Sequence, residues 1–198
     1  MTRLLICRHG QTGWNASGRI QGQTNIELSE IGHAQAEKAA DLLAARHPDV
    51  LVASDLQRAT QTAAAIATAT GLTVATDRRL RERGYGPWEG LTDDELALRY
   101  PTEFACWRAG EPIRIDGVEE LAEVSERMST ALLDAAARAP GGTVVVVTHG
   151  GAARRGVGAL LGWPDHIVST LGSLANCHWT ELRRGRAGWR LIAHNLGA

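Results

Sequence analysis

Apolar residues fall in short unbroken blocks along this chain, separated by longer stretches of helical periodicity. Leu4 to Cys7, Val50 to Ala53, Leu72 to Ala75 and Thr143 to Thr148 each predict a strand buried on both faces. The last holds four consecutive valines, Val144 to Val147. Ser29 is a suitable N-cap, and Ile31, Ala36, Ala39, Ala40 and Leu43 then recur at helical spacing until Pro48 ends the helix. Ser54 and Asp55 are placed to cap a helix from Leu56 to about Thr70, closed by Gly71. Thr92 and Glu95 form a capping box for a short helix through Arg99; Pro101 breaks it, and a second short helix runs from Thr102 to Arg108. Glu119 to Arg138 predicts a long amphipathic helix with Leu121, Val124, Met128 and Leu132 as its stripe. Ala152 to Leu161 predicts another, closed by Gly162 and Pro164, and a terminal hairpin joins Trp179–Leu182 to Trp189–Ala193 around Gly185 to Gly188. Thr12 to Gly22, Arg79 to Gly90 and Gly110 to Gly117 read as loops. Strands alternating with helices predict an α/β fold, a three-layer α/β/α sandwich with a mostly parallel central sheet. No linker divides it, so residues 1–198 read as a single domain.

Bulk composition narrows the function classes. The formal net charge of -1 lacks the basic excess expected of a nucleic-acid binder. Cys7, Cys106 and Cys177 are scattered, forming neither a zinc-type pair nor an even disulfide framework. No leader pattern and no apolar run of bilayer length is present, so no membrane partner is expected and the cytoplasm is the expected location. His166, His178 and His194 lack metal-ligand spacing, and His33 and His47 have no partner motif, so no metal or other cofactor is expected. Gly156 and Gly158 fall within a helix rather than after a strand, unlike a dinucleotide fingerprint, and no Walker-type Gly-Lys-Ser occurs.

The candidate chemistry sits where the strands end. The first strand runs directly into Arg8, His9 and Gly10, and the valine strand runs into His149, Gly150 and Gly151. Ligands of open α/β sheets bind at those carboxyl ends. Arg58 falls in the first turn of a helix, where a cation is unfavourable unless an anion is bound beside it. Glu82 lies in the glycine-rich loop before residue 90. A phosphomonoester needs an in-line nucleophile, donors for its non-bridging oxygens and an acid for the leaving alkoxide. Neutral imidazole is nucleophilic near neutral pH, and arginine holds phosphoryl oxygens by paired hydrogen bonds. His9 is therefore the candidate nucleophile, Arg8 and Arg58 the phosphate clamp, His149 a third cation if protonated, and Glu82 the acid and base. Asn15 and Gln21 offer neutral donors. Glu82 could instead pair with Arg81 or Arg83, and Glu89 is a competing carboxylate assigned to loop support. Trp14, Tyr85 and Trp88 are candidates for the substrate entrance, with Trp88 equally suited to packing. Arg154 and Arg155 read as solvated.

This constellation resembles the histidine phosphatase superfamily, also called phosphoglycerate mutase-like. The matching pieces are Arg8-His9-Gly10-Gln11-Thr12 with Asn15, Ser54 to Thr62 around Arg58, Leu80-Arg81-Glu82 with Gly86 to Gly90, and Val147 to Gly151. They stand in the family's order and reach to about residue 160. The resemblance implies a phosphohistidine on His9, a phosphate pocket of Arg8, Arg58 and His149, and Glu82 as acid and base. It implies a substrate-binding set of Arg8, His9, Asn15, Gln21, Gly22, Arg58, Glu82, His149 and Gly150, and a small-molecule phosphate ester as partner. The modest stretch between Glu82 and His149 looks more like the phosphatase branch than the mutases, which usually carry a longer insertion there. Asp116-Gly117-Val118-Glu119-Glu120 departs from the Gly-Glu-Ser of many relatives, which leaves substrate contacts from that loop open. Residues 176–180 and 189–191 resemble actinobacterial members of the family, without fixing the substrate. The expectation is a metal-independent phosphatase acting on sugar phosphates or phosphoglycerates. The rivals are a phosphoglycerate mutase-type phosphotransferase and a non-catalytic phospholigand-binding module. Trp163 to Leu174 offers an apolar surface on which a homodimer could form.

Overall fold

The computed structural model describes residues 1–197. Its centre is a six-stranded sheet in the order β3-β2-β4-β1-β5-β6. The strands are β1 (Arg3–Arg8), β2 (Val50–Ala53), β3 (Val74–Thr76), β4 (Thr143–Thr148), β5 (Trp179–Gly185) and β6 (Gly188–Leu196). β3, β2, β4 and β1 are mutually parallel, whereas β5 is antiparallel to both β1 and β6. The expected parallel sheet therefore holds for four strands, and the predicted hairpin extends it as an antiparallel edge.

Consecutive residues of each central strand point to opposite faces, and both faces are covered. On one, Leu4, Ile6, Val144 and Val146 pack with Val124, Met128, Leu132 and Val157 from α6 (Leu121–Ala137) and α7 (Gly150–Leu161). On the other, Leu5, Cys7, Val145 and Val147 pack with Leu43, Ala59, Ala63 and Ile66 from α2 (Glu30–Ala44) and α3 (Gln57–Thr70). Two-sided burial is why these strands read as continuous apolar runs, each fully buried valine or leucine contributing about 1.5–3 kcal/mol. Gly156 and Gly158 let α7 pack tightly: a Cβ on Gly156 would stand 2.8 Å from a Leu132 methyl.

Several local expectations are corrected. Thr12 to Gly22 is not all loop, because Thr12 and Asn15 form a capping box that starts α1 (Gly13–Ala16). Ile31 is exposed, since the buried stripe of α2 is Gly32, Ala36, Ala39, Ala40 and Leu43. Ser54 and Asp55 do not cap α3, whose N-cap Leu56 makes no side-chain bond; both are used elsewhere. The third strand begins at Val74 rather than Leu72, and Pro101 opens α5 (Pro101–Ala109) as its first residue. The Arg79–Gly90 stretch contains 3₁₀ turns at Arg78–Leu80 and Gly86–Trp88. Trp163 to Leu174 is not all irregular, since it includes α8 (Asp165–Val168), in which Val168 is buried and Ile167 exposed.

α4 (Asp93–Arg99) and α5 make a cap with its own small core. Trp88, Leu96 and Ile113 are buried there, and Ile20, Tyr85, Tyr100, Phe104 and Trp107 pack against them. Among the described residues no helix is long and apolar enough to cross a membrane.

Candidate active site

The parallel register of β1 and β4 builds the site. Arg8 is paired with Thr148, so the next residues, His9 and His149, emerge side by side; the His9 N–H donates to the Thr148 carbonyl at 3.0 Å. Their ring centroids are 5.1 Å apart. Gly10 carries the chain away sharply: a Cβ there would stand 2.5 Å from the Gly32 carbonyl oxygen of α2.

The His9 ring is buried, and its Nδ1 lies 2.7 Å from the Gly10 carbonyl. A carbonyl only accepts, so Nδ1 carries a proton, and in the neutral ring Nε2 keeps its lone pair. Burial, then the Arg58 and Arg8 guanidinium groups, hold its pKa well below the ordinary histidine value. The ring is therefore neutral and nucleophilic. Burial pushes the two nearby thiols the other way, Cys177 up to about 12 and Cys7 well above its ordinary value, so neither competes as a nucleophile.

Arg58 is wholly buried. Its Nη2 donates to the Gly22 carbonyl at 2.7 Å, Nη1 to Thr24 at 2.8 Å, and Nε to His149 Nδ1 at 3.1 Å. Burial lowers its pKa to about 10, which leaves it cationic at neutral pH. His149 corrects the expectation of a third cation. Because Arg58 Nε can only donate, His149 Nδ1 accepts and its Nε2–H donates to Ser54 Oγ at 2.9 Å. The ring is neutral, and burial, Arg58 and His9 hold its pKa well below the ordinary value. This is also the use found for Ser54. Arg8 donates through Nη1 to the Leu174 carbonyl at 2.6 Å, while its buried Nε has no partner in the protein. An unpartnered buried donor beside His9 suits an anion.

Glu82 pairs with neither neighbouring arginine side chain. Arg81 makes a bidentate pair with Asp55, and the Arg83 guanidinium donates to the Glu119 carbonyl. The Glu82 carboxyl instead accepts backbone N–H bonds from Arg83 and Ala152 at Oε1 and from Gly151 at Oε2, all at 2.8–2.9 Å. It thus caps α7, whose N-cap His149 makes no side-chain cap bond. A Cβ on Gly151 would stand 2.8 Å from Glu82 Oε1, so the second glycine after His149 makes room for the carboxyl.

The pocket is about 220 Å³ and brings Arg8, His9, Asn15, Gln21, Gly22, Arg58, Glu82 and Gly150 together. His149 lies beneath it, fully buried against Arg58. Asn15 accepts through Oδ1 from the Thr12 N–H and the Asn176 amide, and Gln21 Oε1 accepts from the Thr12 hydroxyl. Of the three aromatic candidates only Tyr85 lines this pocket. Trp88 is fully buried in the cap core, and Trp14 packs against Gly90. Glu89 supports the loops, its carboxyl accepting from the Gln23 and Tyr85 N–H groups and the Thr24 hydroxyl. Arg155 is paired with Asp165 and Ser125 rather than solvated.

Sequence reasoning missed several contributors, Arg19 and Ser173 of the pocket lining among them. Trp107 of α5 lines the pocket, edge-on to Tyr85. Asn176 Nδ2 donates to the His9 carbonyl at 2.9 Å. Arg127 of α6 donates to the carbonyls of Arg79, Arg81 and Glu82 at 2.6–2.9 Å and pairs with Glu119, clamping the backbone that carries Glu82. The last had a weak signal: a charged residue within the first turns of an otherwise apolar-faced helix. Among the described residues no group of three or more His, Cys, Asp or Glu is placed to hold a metal ion.

The sequence model of the histidine phosphatase superfamily (branch 1) matches residues 4–197. The chain belongs to that superfamily. Within it, the chain is 39% identical to the glucosyl-3-phosphoglycerate phosphatase of Mycobacterium tuberculosis, over 99% of this chain and 95% of that protein. It is 37% identical to a probable phosphoglycerate mutase of Yersinia pestis, over 96% and 88% of the two chains. A solved mycobacterial glucosyl-3-phosphoglycerate phosphatase complexed with VO3 superposes with a TM-score of 0.92 at 36% identity, covering 98% of this chain and 99% of that one.

The two neutral histidines give this histidine phosphatase a definite acid response. Both fold with pKa values below those of the unfolded chain, so the unfolded state binds more protons once pH falls under about 6.5. Their contribution to stability is complete above that pH and lost below it, by up to about 1.4 kcal/mol per pH unit for each ring. Urea unfolding from pH 7 to 5 is expected to show this slope, shallower in His9→Ala. An unchanged slope in that variant would contradict the buried neutral assignment.

Proposed function

We propose that the protein is a metal-independent phosphatase that hydrolyses small-molecule phosphomonoesters through a phosphohistidine on His9. The observation that carries this is the free Nε2 of a neutral His9 facing a pocket lined by Arg8 and Arg58. In the first step the Nε2 lone pair attacks phosphorus in line with the ester oxygen. The P–N bond forms, the P–O bond breaks, and Glu82 delivers a proton to the leaving alkoxide. The backbone N–H groups of Arg83, Gly151 and Ala152 hold the Glu82 carboxyl at the pocket wall. In the second step the Glu82 carboxylate takes a proton from water as its oxygen attacks phosphorus. The P–N bond breaks, its electrons return to the imidazole, and phosphate leaves. Arg8 and Arg58 face the non-bridging oxygens throughout and offset the charge that elsewhere a metal ion would. His149 acts by orienting the Arg58 Nε–H rather than by charge.

The substrate class that fits is a sugar phosphate or phosphoglycerate, in keeping with the phosphatase and mutase relatives. A 220 Å³ cavity lies below the usual range of about 300–1,000 Å³ for small-molecule sites, so a larger ester would extend over its rim. We place this activity in the cytoplasm, in one domain built on the single sheet. Hydrolysis of p-nitrophenyl phosphate in EDTA tests the reading: full activity is expected. Loss on chelation, restored by a divalent ion, would overturn the metal-free step. Phosphoglycerate interconversion outrunning phosphate release would replace hydrolysis with the mutase reaction.

A further inference from the structure

The pocket holds a third arginine that the phosphoryl chemistry does not use. Arg19 lines it on the side of the cap, together with Ile20, Tyr85 and Trp107, which belong to the cap's own apolar cluster. One corner of its guanidinium is tied down. Nη1 donates to the Gly90 carbonyl at 2.5 Å and to Glu95 Oε2 at 3.1 Å. Nε and Nη2 meet no acceptor among the described residues, and the side chain is 39% exposed. The anchored corner fixes the plane of the group, and the Nε–Nη2 edge that remains is the one that grips a carboxylate with two parallel bonds. The phosphate dianion already has Arg8 and Arg58, one of them with an unpartnered buried Nε. A monoester of a neutral alcohol would leave the Arg19 edge without an acceptor. The pair with Glu95 does not satisfy that edge, and both partners are over a third exposed, so it binds weakly.

We infer that Arg19 is the specificity residue of this phosphatase, binding a carboxylate on the alcohol half of the substrate and so selecting phosphate esters of hydroxy acids. The inference rests on the proposed phosphatase activity. The carbon chain between the two anions lies against Tyr85 and Trp107, whose edge-on rings are 6.4 Å apart at their centroids. The aromatic pair supplies an apolar face for C–H groups, and Arg83 over the Tyr85 ring at 5.3 Å keeps that ring in place.

The test compares 3-phosphoglycerate with glycerol 3-phosphate, which replaces the carboxylate by a hydroxymethyl group. The wild type is expected to favour 3-phosphoglycerate by at least about tenfold in kcat/KM. Arg19→Gln is expected to reduce that ratio by about 10- to 100-fold, chiefly through KM, the range of a hydrogen-bonded charge pair. Arg19→Lys, which keeps the charge but loses the fork, is expected to fall between them. Equal losses on both esters would mean that Arg19 only supports the cap through Gly90, and the inference fails. It fails also if the wild type shows no preference while it hydrolyses p-nitrophenyl phosphate. Absence of p-nitrophenyl phosphate turnover would instead overturn the phosphatase reading itself.

Discussion

Replacing His9 by alanine is expected to lower turnover of any phosphomonoester at least about 10⁴-fold, because His9 is the one imidazole lining the pocket. His149 has both ring nitrogens engaged, Nδ1 by Arg58 and Nε2 by Ser54. Cys7 and Cys177 are held as thiols by burial. Rapid quench of the wild type with a radiolabelled ester is expected to trap an acid-labile, base-stable phosphoprotein, and His9→Ala should trap none. Label that persists in the variant would move the nucleophile elsewhere and void the two-step scheme. The variant should fold, since His9 makes one side-chain bond, to the adjacent Gly10 carbonyl.

Arg58→Ala is expected to fail on two counts at once. Catalysis should fall by about 10³-fold or more, since a preorganised donor to the transferring phosphoryl group is gone. The fold should also lose about 2–4 kcal/mol, because a wholly buried side chain that bonds Gly22, Thr24 and His149 leaves those acceptors behind. Arg58→Lys separates the two effects. A lysine restores a cation but not the fork, so it should recover part of the activity while leaving the 22–24 loop and His149 poorly held. Steady-state kinetics beside urea unfolding reads both quantities. A stable, active Arg58→Ala would show that Arg8 alone suffices, against the geometry in which the two cations share the pocket.

The contrast between these residues shows how differently site and support are written in the chain. Arg8, His9, His149 and Gly150 come directly after apolar blocks, and Arg58 opens a helix just after another. Local pattern alone therefore placed them at the carboxyl ends of strands. Glu82 carried no such mark. Its neighbours Arg81 and Arg83 suggested ion pairs, and only the approach of its loop to the start of α7 turned it into a cap, with two of its three backbone bonds coming from that helix. Arg127 clamps that loop from a helix 45 residues further on, through carbonyl groups that no side-chain pattern encodes. Trp107 reached the pocket, whereas Trp88 sank into the cap and Trp14 stayed outside it, because an aromatic ring serves packing and binding equally well until its neighbours are known.

Charge state divided in the same way. The presence of two histidines was legible, but their protonation was not. It depends on what surrounds each ring: a guanidinium that can only donate faces His149 Nδ1, and burial beside Arg58 and Arg8 holds the His9 pKa well below its ordinary value. By itself the sequence determined the α/β class, the central strands and the candidate phosphate-facing residues. Two-sided burial forces continuous apolar runs, and a parallel sheet gathers the residues after those runs along one edge. The tertiary structure alone decided that the predicted hairpin docks beside β1, the clamp on Glu82, the cap wall with Arg19 and the neutrality of His149. Each of these depends on contacts between residues distant in the chain, where no local periodicity reaches.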